Sequence, residues 1–146
     1  MPVLYLDTSA LLKRYVLEAG SQELREVWDS FDFIGAERIV QAEMAAALAK
    51  GQRMGWLADG EARKAWSTFQ GDWRRLTLIE ANPQVVQFAS ELAWTYPLRG
   101  YDAVHLAAAL AWQDGIGESV TLASYDRVLW QAAKDAGLQV WPNTLA

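Results

Sequence analysis

The sequence predicts an α/β fold in which helices cover both faces of one mainly parallel sheet. Short apolar segments of strand type alternate with longer helical segments along the whole chain. The first of these strands, Val3–Leu6, is apolar throughout, which is typical of a central strand buried on both faces. No Asn-Gly turn joins two neighbouring strands as it would in a hairpin, so a parallel arrangement is favoured.

The individual elements follow from hydrophobic spacing together with capping and breaking residues. Thr8 or Ser9 is expected to cap the first helix. An alanine-rich helix is expected to stop at Gly51, and Pro83 suits the first turn of another helix. In chain order, strands are predicted over 3–6, 31–36, 76–80, 119–123 and 138–141, and helices over 9–17, 21–30, 39–51, 59–75, 83–96, 103–113 and 126–136.

Length and composition predict one globular domain over residues 1–146. The chain is 52% apolar and 21% charged, which suits a packed core rather than disorder. It has no cysteine, no recognisable signal peptide and no apolar run of the roughly 20 residues that span a bilayer. We therefore expect a soluble, cytoplasmic protein with no membrane partner.

The charge distribution is uneven. The net charge of -5 argues against a simple nucleic-acid binder, which usually presents a basic face. The segment 50–75 nevertheless holds six basic residues against three acidic ones. A solvated helical face explains most such clusters, but an acidic pocket beside a basic strip stays open as an alternative.

Four carboxylates occur in surroundings that do not suit a solvated charge. Asp7 ends the first strand and Asp126 follows another apolar strand, so parallel topology brings both to one edge of the sheet. Glu43 lies within the alanine-rich helix, and Asp102 begins the most apolar helix. Each has an ordinary alternative, since aspartates often cap helices and Glu43 could point outward. Together, they predict an acidic site.

Several carboxylates at one edge would repel one another unless a cation joined them. Oxygen ligands alone favour a hard ion, Mg²⁺ or Mn²⁺, and such an ion suits phosphodiester hydrolysis. His105 is the only histidine and is interpreted as a core residue or one supporting the site. With no cysteine present, zinc chemistry and a histidine-based triad are both disfavoured.

Four motifs together resemble the PIN-domain family, specifically the VapC-type toxins of toxin–antitoxin pairs. Their order and spacing fit over essentially the whole chain, and the Tyr-Asp-Ala-x-His-Leu-Ala block is the most specific of them. One departure is the segment Ala36-Glu37-Arg38, which stands where a small hydroxyl residue often precedes the helix that carries Glu43. The motifs are Leu6-Asp7-Thr8-Ser9-Ala10-Leu11, Ala42-Glu43-Met44-Ala45-Ala46-Ala47-Leu48, Arg99-Gly100-Tyr101-Asp102-Ala103-Val104-His105-Leu106-Ala107-Ala108-Ala109-Leu110 and Ser124-Tyr125-Asp126-Arg127-Val128-Leu129.

The resemblance implies a three-layer α/β/α fold and a Mg²⁺-dependent endoribonuclease. It implies Asp7 and Asp102 as the principal metal ligands, and further acids that act on a second ion or on the attacking water. It also implies hydroxyl groups that support the site, a homodimer, an RNA substrate and a cognate VapB-like antitoxin whose tail packs on the early helices. The further acids are Glu43 and Asp126, and the supporting hydroxyls are those of Ser9 and Ser124.

Three alternatives remain at this stage. The chain could be a housekeeping PIN nuclease, or a catalytically silent PIN-like module that binds RNA or regulates. A phospho-acceptor or aspartyl phosphatase that uses Asp7 is less favoured, because Ser9 stands where that motif requires a second acid.

Overall fold

A single parallel sheet forms the centre of the structure, a computed structural model that describes residues 2–145. The strands run in the spatial order β3-β2-β1-β4-β5, and every neighbouring pair is parallel. The first strand of the chain is therefore the central one, as the sequence predicts. The strands are β1 (Val3–Leu6), β2 (Phe33–Glu37), β3 (Thr77–Ile79), β4 (Val120–Ala123) and β5 (Gln139–Trp141).

Helices cover both faces of the sheet, and alternate side chains of β1 show how. Val3 and Tyr5 pack into one apolar core, and Leu4 and Leu6 pack into a second core on the opposite face. The first core includes residues of α5, α6 and α7, and the second includes residues of α1 to α4. The three-layer α/β/α prediction is thus confirmed. The helices are α1 (Thr8–Tyr15), α2 (Ser21–Trp28), α3 (Val40–Arg53), α4 (Asp59–Trp73), α5 (Pro83–Thr95), α6 (Gly100–Ile116) and α7 (Arg127–Asp135).

The predicted cap of α1 and the predicted end of α3 are wrong. The cap of α1 is Asp7 rather than Thr8 or Ser9, since its carboxylate accepts a hydrogen bond from the Ala10 N–H. The alanine-rich helix α3 does not stop at Gly51 but continues to Arg53. Leu57 packs where a Cβ of Gly51 would lie, so this glycine serves a close contact. The chain reverses at Gly55, whose φ of 79° is left-handed.

Helix α6 begins earlier than predicted. It starts at Gly100 rather than at Ala103, which places Asp102 inside its first turn instead of at its cap. At the other end, the Gln113 side chain accepts a hydrogen bond from the Val120 N–H at the start of β4. The helix therefore runs antiparallel to β4, and its first turn lies toward the carboxyl edge of the sheet.

In residues 2–145, no helix is both long enough and apolar enough to cross a membrane.

We predict that Gly35→Ala destabilises the fold by about 1–3 kcal/mol through overpacking. A Cβ at Gly35 would lie 2.6 Å from the ring of Trp112 and 2.9 Å from the Thr77 carbonyl oxygen. The matched control is Gly71→Ala within α4, where a Cβ meets nothing within 4 Å. That change should stabilise the helix by about 0.5–1 kcal/mol. Urea unfolding of both variants checks the prediction, and equal effects would contradict it.

Candidate active site

The predicted acids all lie toward the carboxyl edge of the sheet. Asp7 follows β1 directly, and Asp126 follows β4 as the cap of α7. Glu43 lies in the first turn of α3, the helix after β2, and Asp102 in the first turn of α6. The winding of the chain thus collects side chains that are far apart in sequence.

Asp7 is at the centre of this edge and is 4% exposed. One carboxylate oxygen accepts hydrogen bonds from the Ser9 hydroxyl at 2.7 Å and from the Ala10 N–H at 2.9 Å. The other accepts from the Ser124 hydroxyl at 2.6 Å. These contacts place both predicted hydroxyl residues directly on the Asp7 carboxylate.

The two serines also hold the following loop in place. The Ser9 hydroxyl accepts a hydrogen bond from the Tyr125 N–H at 2.9 Å, and the Ser124 hydroxyl accepts from the Asp126 N–H at 3.0 Å. The Asp126 carboxylate in turn accepts from the first N–H groups of α7. One hydrogen-bonded chain therefore fixes Asp126 relative to Asp7.

Burial raises the pKa of the Asp7 carboxyl above its ordinary value of 3.8. The nearby His105 ring and the hydrogen bonds from Ser124, Ala10 and Ser9 oppose this shift but do not cancel it. A negative charge on Asp7 is therefore costly in the absence of a compensating cation.

Arg99 supplies one positive charge beside this acidic edge. Its Nε lies 3.0 Å from Asp102 Oδ2, and its Nη2 lies 3.5 Å from Asp126 Oδ2. Hydrogen bonding to Asp102, and the charges of Asp102 and Asp126, raise the pKa of the guanidinium. Asp102 is 6% exposed, but the Arg99 side chain is 78% exposed. The arginine thus contacts two buried or half-buried carboxylates from the solvent side while most of its own side chain stays exposed.

Glu43 meets the buried His105 rather than another acid. Its Oε1 lies 3.5 Å from His105 Nε2, and the opposite ring atom, Nδ1, lies 2.6 Å from the Tyr5 hydroxyl. His105 is 1% exposed, as the core or supporting interpretation requires. Burial raises the pKa of Tyr5 well above its usual range, and the carboxylates of Glu37, Asp7 and Glu43 contribute to this shift.

Sequence patterns did not single out the structural role of Glu37. This residue ends β2, is 2% exposed, and accepts a hydrogen bond from the Ile39 N–H at 2.8 Å. It thereby holds the turn that leads into α3, the helix that carries Glu43. Its position just before an alanine-rich helix was the available signal, because a buried acid there can satisfy N–H groups at the helix start.

The donor set fits a hard divalent cation, although the side chains do not form a closed ligand shell as they stand. Within residues 2–145, no three acidic or imidazole groups lie close enough to hold one ion. Two observations support the fit. The Arg99 guanidinium already bridges Asp102 and Asp126 as a cation. Glu43 Oε1 is buried without a hydrogen-bond donor. Side-chain rotation that releases Arg99 would be needed to complete the shell.

The family is established by comparison with known proteins. A model of the PIN domain matches residues 4–135, which include all four predicted acids. The chain belongs to the PIN-domain family. This confirms the family predicted from the four motifs.

Named relatives extend over nearly the entire chain. Ribonuclease VapC49 of Mycobacterium tuberculosis (strain ATCC 25618 / H37Rv) is 37% identical over 145 residues, which is 99% of each chain. Ribonuclease VapC46 of the same strain is 33% identical over 142 residues, covering 96% of this chain and 97% of the relative.

Solved structures share the fold at low identity. VapBC2 from Rickettsia felis, bound to a DNA fragment from its promoter, matches with a TM-score of 0.65 at 15% identity and covers 95% of this chain and 98% of that chain. FitAcB from Neisseria gonorrhoeae matches with a TM-score of 0.65 at 14% identity, covering 97% and 98%. These likenesses support the three-layer architecture.

We predict that Asp7→Asn stabilises the metal-free protein at neutral pH. Because the folded-state pKa of Asp7 is raised, its favourable contribution is complete below the unfolded-state pKa and is lost as the pH rises through the folded-state pKa. Asparagine does not ionise, so the variant should have the higher Tm near neutral pH, and the difference should vanish as the pH falls below 3.8. Thermal unfolding across pH, with chelator present, measures this.

The control for this experiment is Asp135→Asn, which changes an exposed acid that only meets Gln131 on the surface of α7. Its effect on the Tm near neutral pH should be small, because the side chain lies on the exposed surface. A wild-type protein more stable than Asp7→Asn at neutral pH would contradict the prediction.

Proposed function

We propose that this protein is a Mg²⁺-dependent endoribonuclease, with Mn²⁺ as an alternative ion, and the toxin of a type II toxin–antitoxin pair. The observation that carries the proposal is the convergence of Asp7, Glu43, Asp102 and Asp126 toward one sheet edge, with a cation already bridging two of them. Relatives named as ribonucleases over nearly the full length support the same activity.

In this proposal, Asp7 and Asp102 hold the ion, while Glu43 and Asp126 act on a second ion or orient the attacking water. Mg²⁺ bound there supplies charge neutralisation at the phosphate oxygens and activates water for attack at phosphorus. Ser9 and Ser124 keep the Asp7 carboxylate in one orientation through their hydrogen bonds. Arg99 releases Asp102 and Asp126 and is then available to face the RNA phosphate.

The chemistry is hydrolysis of an RNA phosphodiester. An oxygen–phosphorus bond forms as water loses a proton to a carboxylate at this edge. The bond from phosphorus to the leaving oxygen breaks, and that oxygen keeps the bonding electron pair and takes up a proton from solvent. The like charge of the acids disfavours a bare phosphate, and a cation held by Asp7 and Asp102 would offset that repulsion.

We predict that Asp102→Asn lowers the rate of RNA cleavage by about 100-fold or more, because an ion that stabilises the transition state by several kcal/mol loses a principal ligand. Induced growth arrest should disappear with it. The control is Asp114→Asn, which changes an exposed acid on the same helix. Purified protein, fluorescent RNA substrates and Mg²⁺ provide the measurement.

Cleavage by Asp102→Asn at the wild-type rate would remove the proposed mechanism. If the wild-type protein bound Mn²⁺ tightly but cut no RNA, the silent PIN-like module would be favoured instead.

The antitoxin is proposed to occupy a groove between the early helices. This groove has a volume of about 770 Å³, and the apolar residues that line it include Leu12, Tyr15 and Leu57. Basic side chains outnumber acidic ones on its wall, so an amphipathic segment with apolar anchors and acidic flanks is the complementary partner. The charged lining residues are Arg14, Glu18, Arg25, Lys50, Glu61 and Lys64.

We predict that Trp56→Ala weakens antitoxin binding by about tenfold or more while leaving RNA cleavage intact, as expected when an exposed aromatic anchor is removed. Trp56 lines the groove and is 67% exposed. The matched control is Trp94→Ala, since Trp94 is 94% exposed on α5 and does not line this groove. Titration with the protein encoded directly upstream checks the result. Equal affinity of that partner for the wild-type protein, Trp56→Ala and Trp94→Ala would contradict the prediction.

The proposal also includes a homodimer that acts in the cytoplasm, where RNA substrates and the antitoxin meet it. Sedimentation of the purified chain, alone and with its antitoxin, measures the assembly.

A further inference from the structure

Two buried polar atoms face each other in the core without hydrogen-bond partners in the described chain. They are Glu43 Oε1 and His105 Nε2, and they lie 3.5 Å apart. An unsatisfied buried polar group is costly, and such a group in a folded protein calls for an explanation. The two atoms are complementary, because an imidazole nitrogen can donate and a carboxylate oxygen accepts.

The opposite side of the imidazole ring determines which nitrogen carries hydrogen. The Tyr5 hydroxyl lies 2.6 Å from His105 Nδ1, and neither residue is more than 1% exposed. A phenol O–H can donate to an imidazole nitrogen at this distance, and we assign Tyr5 as the donor to Nδ1. Nδ1 is then the acceptor, and the ring hydrogen belongs on Nε2, toward Glu43.

The ring is also held by packing. Tyr5 and Tyr101 both meet it edge-on, with ring centroids at 5.8 Å and 5.0 Å and interplanar angles of 76° and 86°. His105 therefore has little freedom to rotate. The Glu43 side chain is 21% exposed and can move by the few tenths of an ångström that would shorten the contact to a hydrogen bond.

We propose that His105 is a positioning residue for Glu43: Tyr5 fixes its tautomer, and its Nε2–H orients one carboxylate oxygen so that the other faces the ion. This inference rests on the proposed function, because it assigns Glu43 to the metal-binding edge. It follows the general pattern in which a group behind a metal ligand fixes the orientation of that ligand.

The tautomer is read directly by NMR of the protein labelled with ¹⁵N-histidine, since the chain has one histidine and hence one imidazole signal. We expect hydrogen on Nε2 alone and slow exchange of that hydrogen with water. In Glu43→Ala the hydrogen should exchange faster, because its acceptor is gone. Hydrogen on Nδ1 in the wild-type protein would overturn the inference. This arm needs neither metal nor RNA.

The functional arm compares two amides at position 105. Glutamine in His105→Gln places an N–H₂ group near the former Nε2 and can still donate to Glu43, whereas asparagine in His105→Asn reaches only the former Nδ1 position. We expect His105→Asn to lower Mn²⁺ affinity by about 10- to 100-fold and His105→Gln to stay within a few-fold of wild type. Equilibrium titration with Mn²⁺ alone measures both, after thermal unfolding confirms that each variant folds.

Equal Mn²⁺ affinity of the two variants would overturn the positioning role. Tyr5→Phe tests the same role with little change in volume. It should weaken Mn²⁺ binding less than His105→Asn does, and both tautomers of His105 should become populated. If His105→Asn fails to fold, an unchanged tautomer in Tyr5→Phe overturns the inference. Absence of Mn²⁺ binding by the wild-type protein would instead refute the proposed function, and the NMR result would still decide the hydrogen bond.

Discussion

The buried carboxylate of Asp7 is the constraint on which this edge of the molecule depends. It lies at the end of the central strand, 4% exposed, and three donors from two different parts of the chain converge on it. Those donors join the start of α1 to the loop after β4. The contacts that make burial of the charge tolerable therefore also define the shape of the site.

Repulsion between the carboxylates is the second interaction that determines how this site is arranged. Asp102 and Asp126 share Arg99, and Glu43 faces a histidine instead of a basic side chain. In the absence of metal, the arginine reduces repulsion at little cost to its own solvation, because most of its side chain remains exposed. Under the proposed function, a divalent ion would compete with this exposed arginine for the oxygens of Asp102 and Asp126, so binding of the ion would release Arg99 from both carboxylates.

The sequence predicts the strands, the helices and their topology well, because the patterns that indicate them are local in the chain. The apolar run of β1, the alternation of strands and helices, and the parallel topology follow from residue spacing. The same topology predicts that Asp7 and Asp126 meet at one edge. The helix ends were less predictable: Gly51 is used for contact with Leu57 instead of termination, and Asp7 itself caps α1.

The network of side-chain hydrogen bonds and ion pairs could not be predicted from sequence patterns. Tyr5 and His105 are 100 residues apart and meet only because alternate residues of β1 face α6. Arg99 was visible in a motif, but its bridge to Asp126 requires the final position of α7. Glu37 lies in the segment that departs from the family pattern, and its carboxylate accepts a hydrogen bond from the Ile39 N–H at the turn into α3.

The central claim, that distant acids at this edge share a hard cation, is tested most directly by a crystal structure of the protein grown with Mn²⁺ and recorded at the manganese absorption edge. The account predicts an anomalous peak in direct contact with Asp7 and Asp102 oxygens, with the Arg99 guanidinium displaced from Asp102. A fully occupied Mn²⁺ elsewhere, with Arg99 still bridging Asp102 and Asp126, would contradict it.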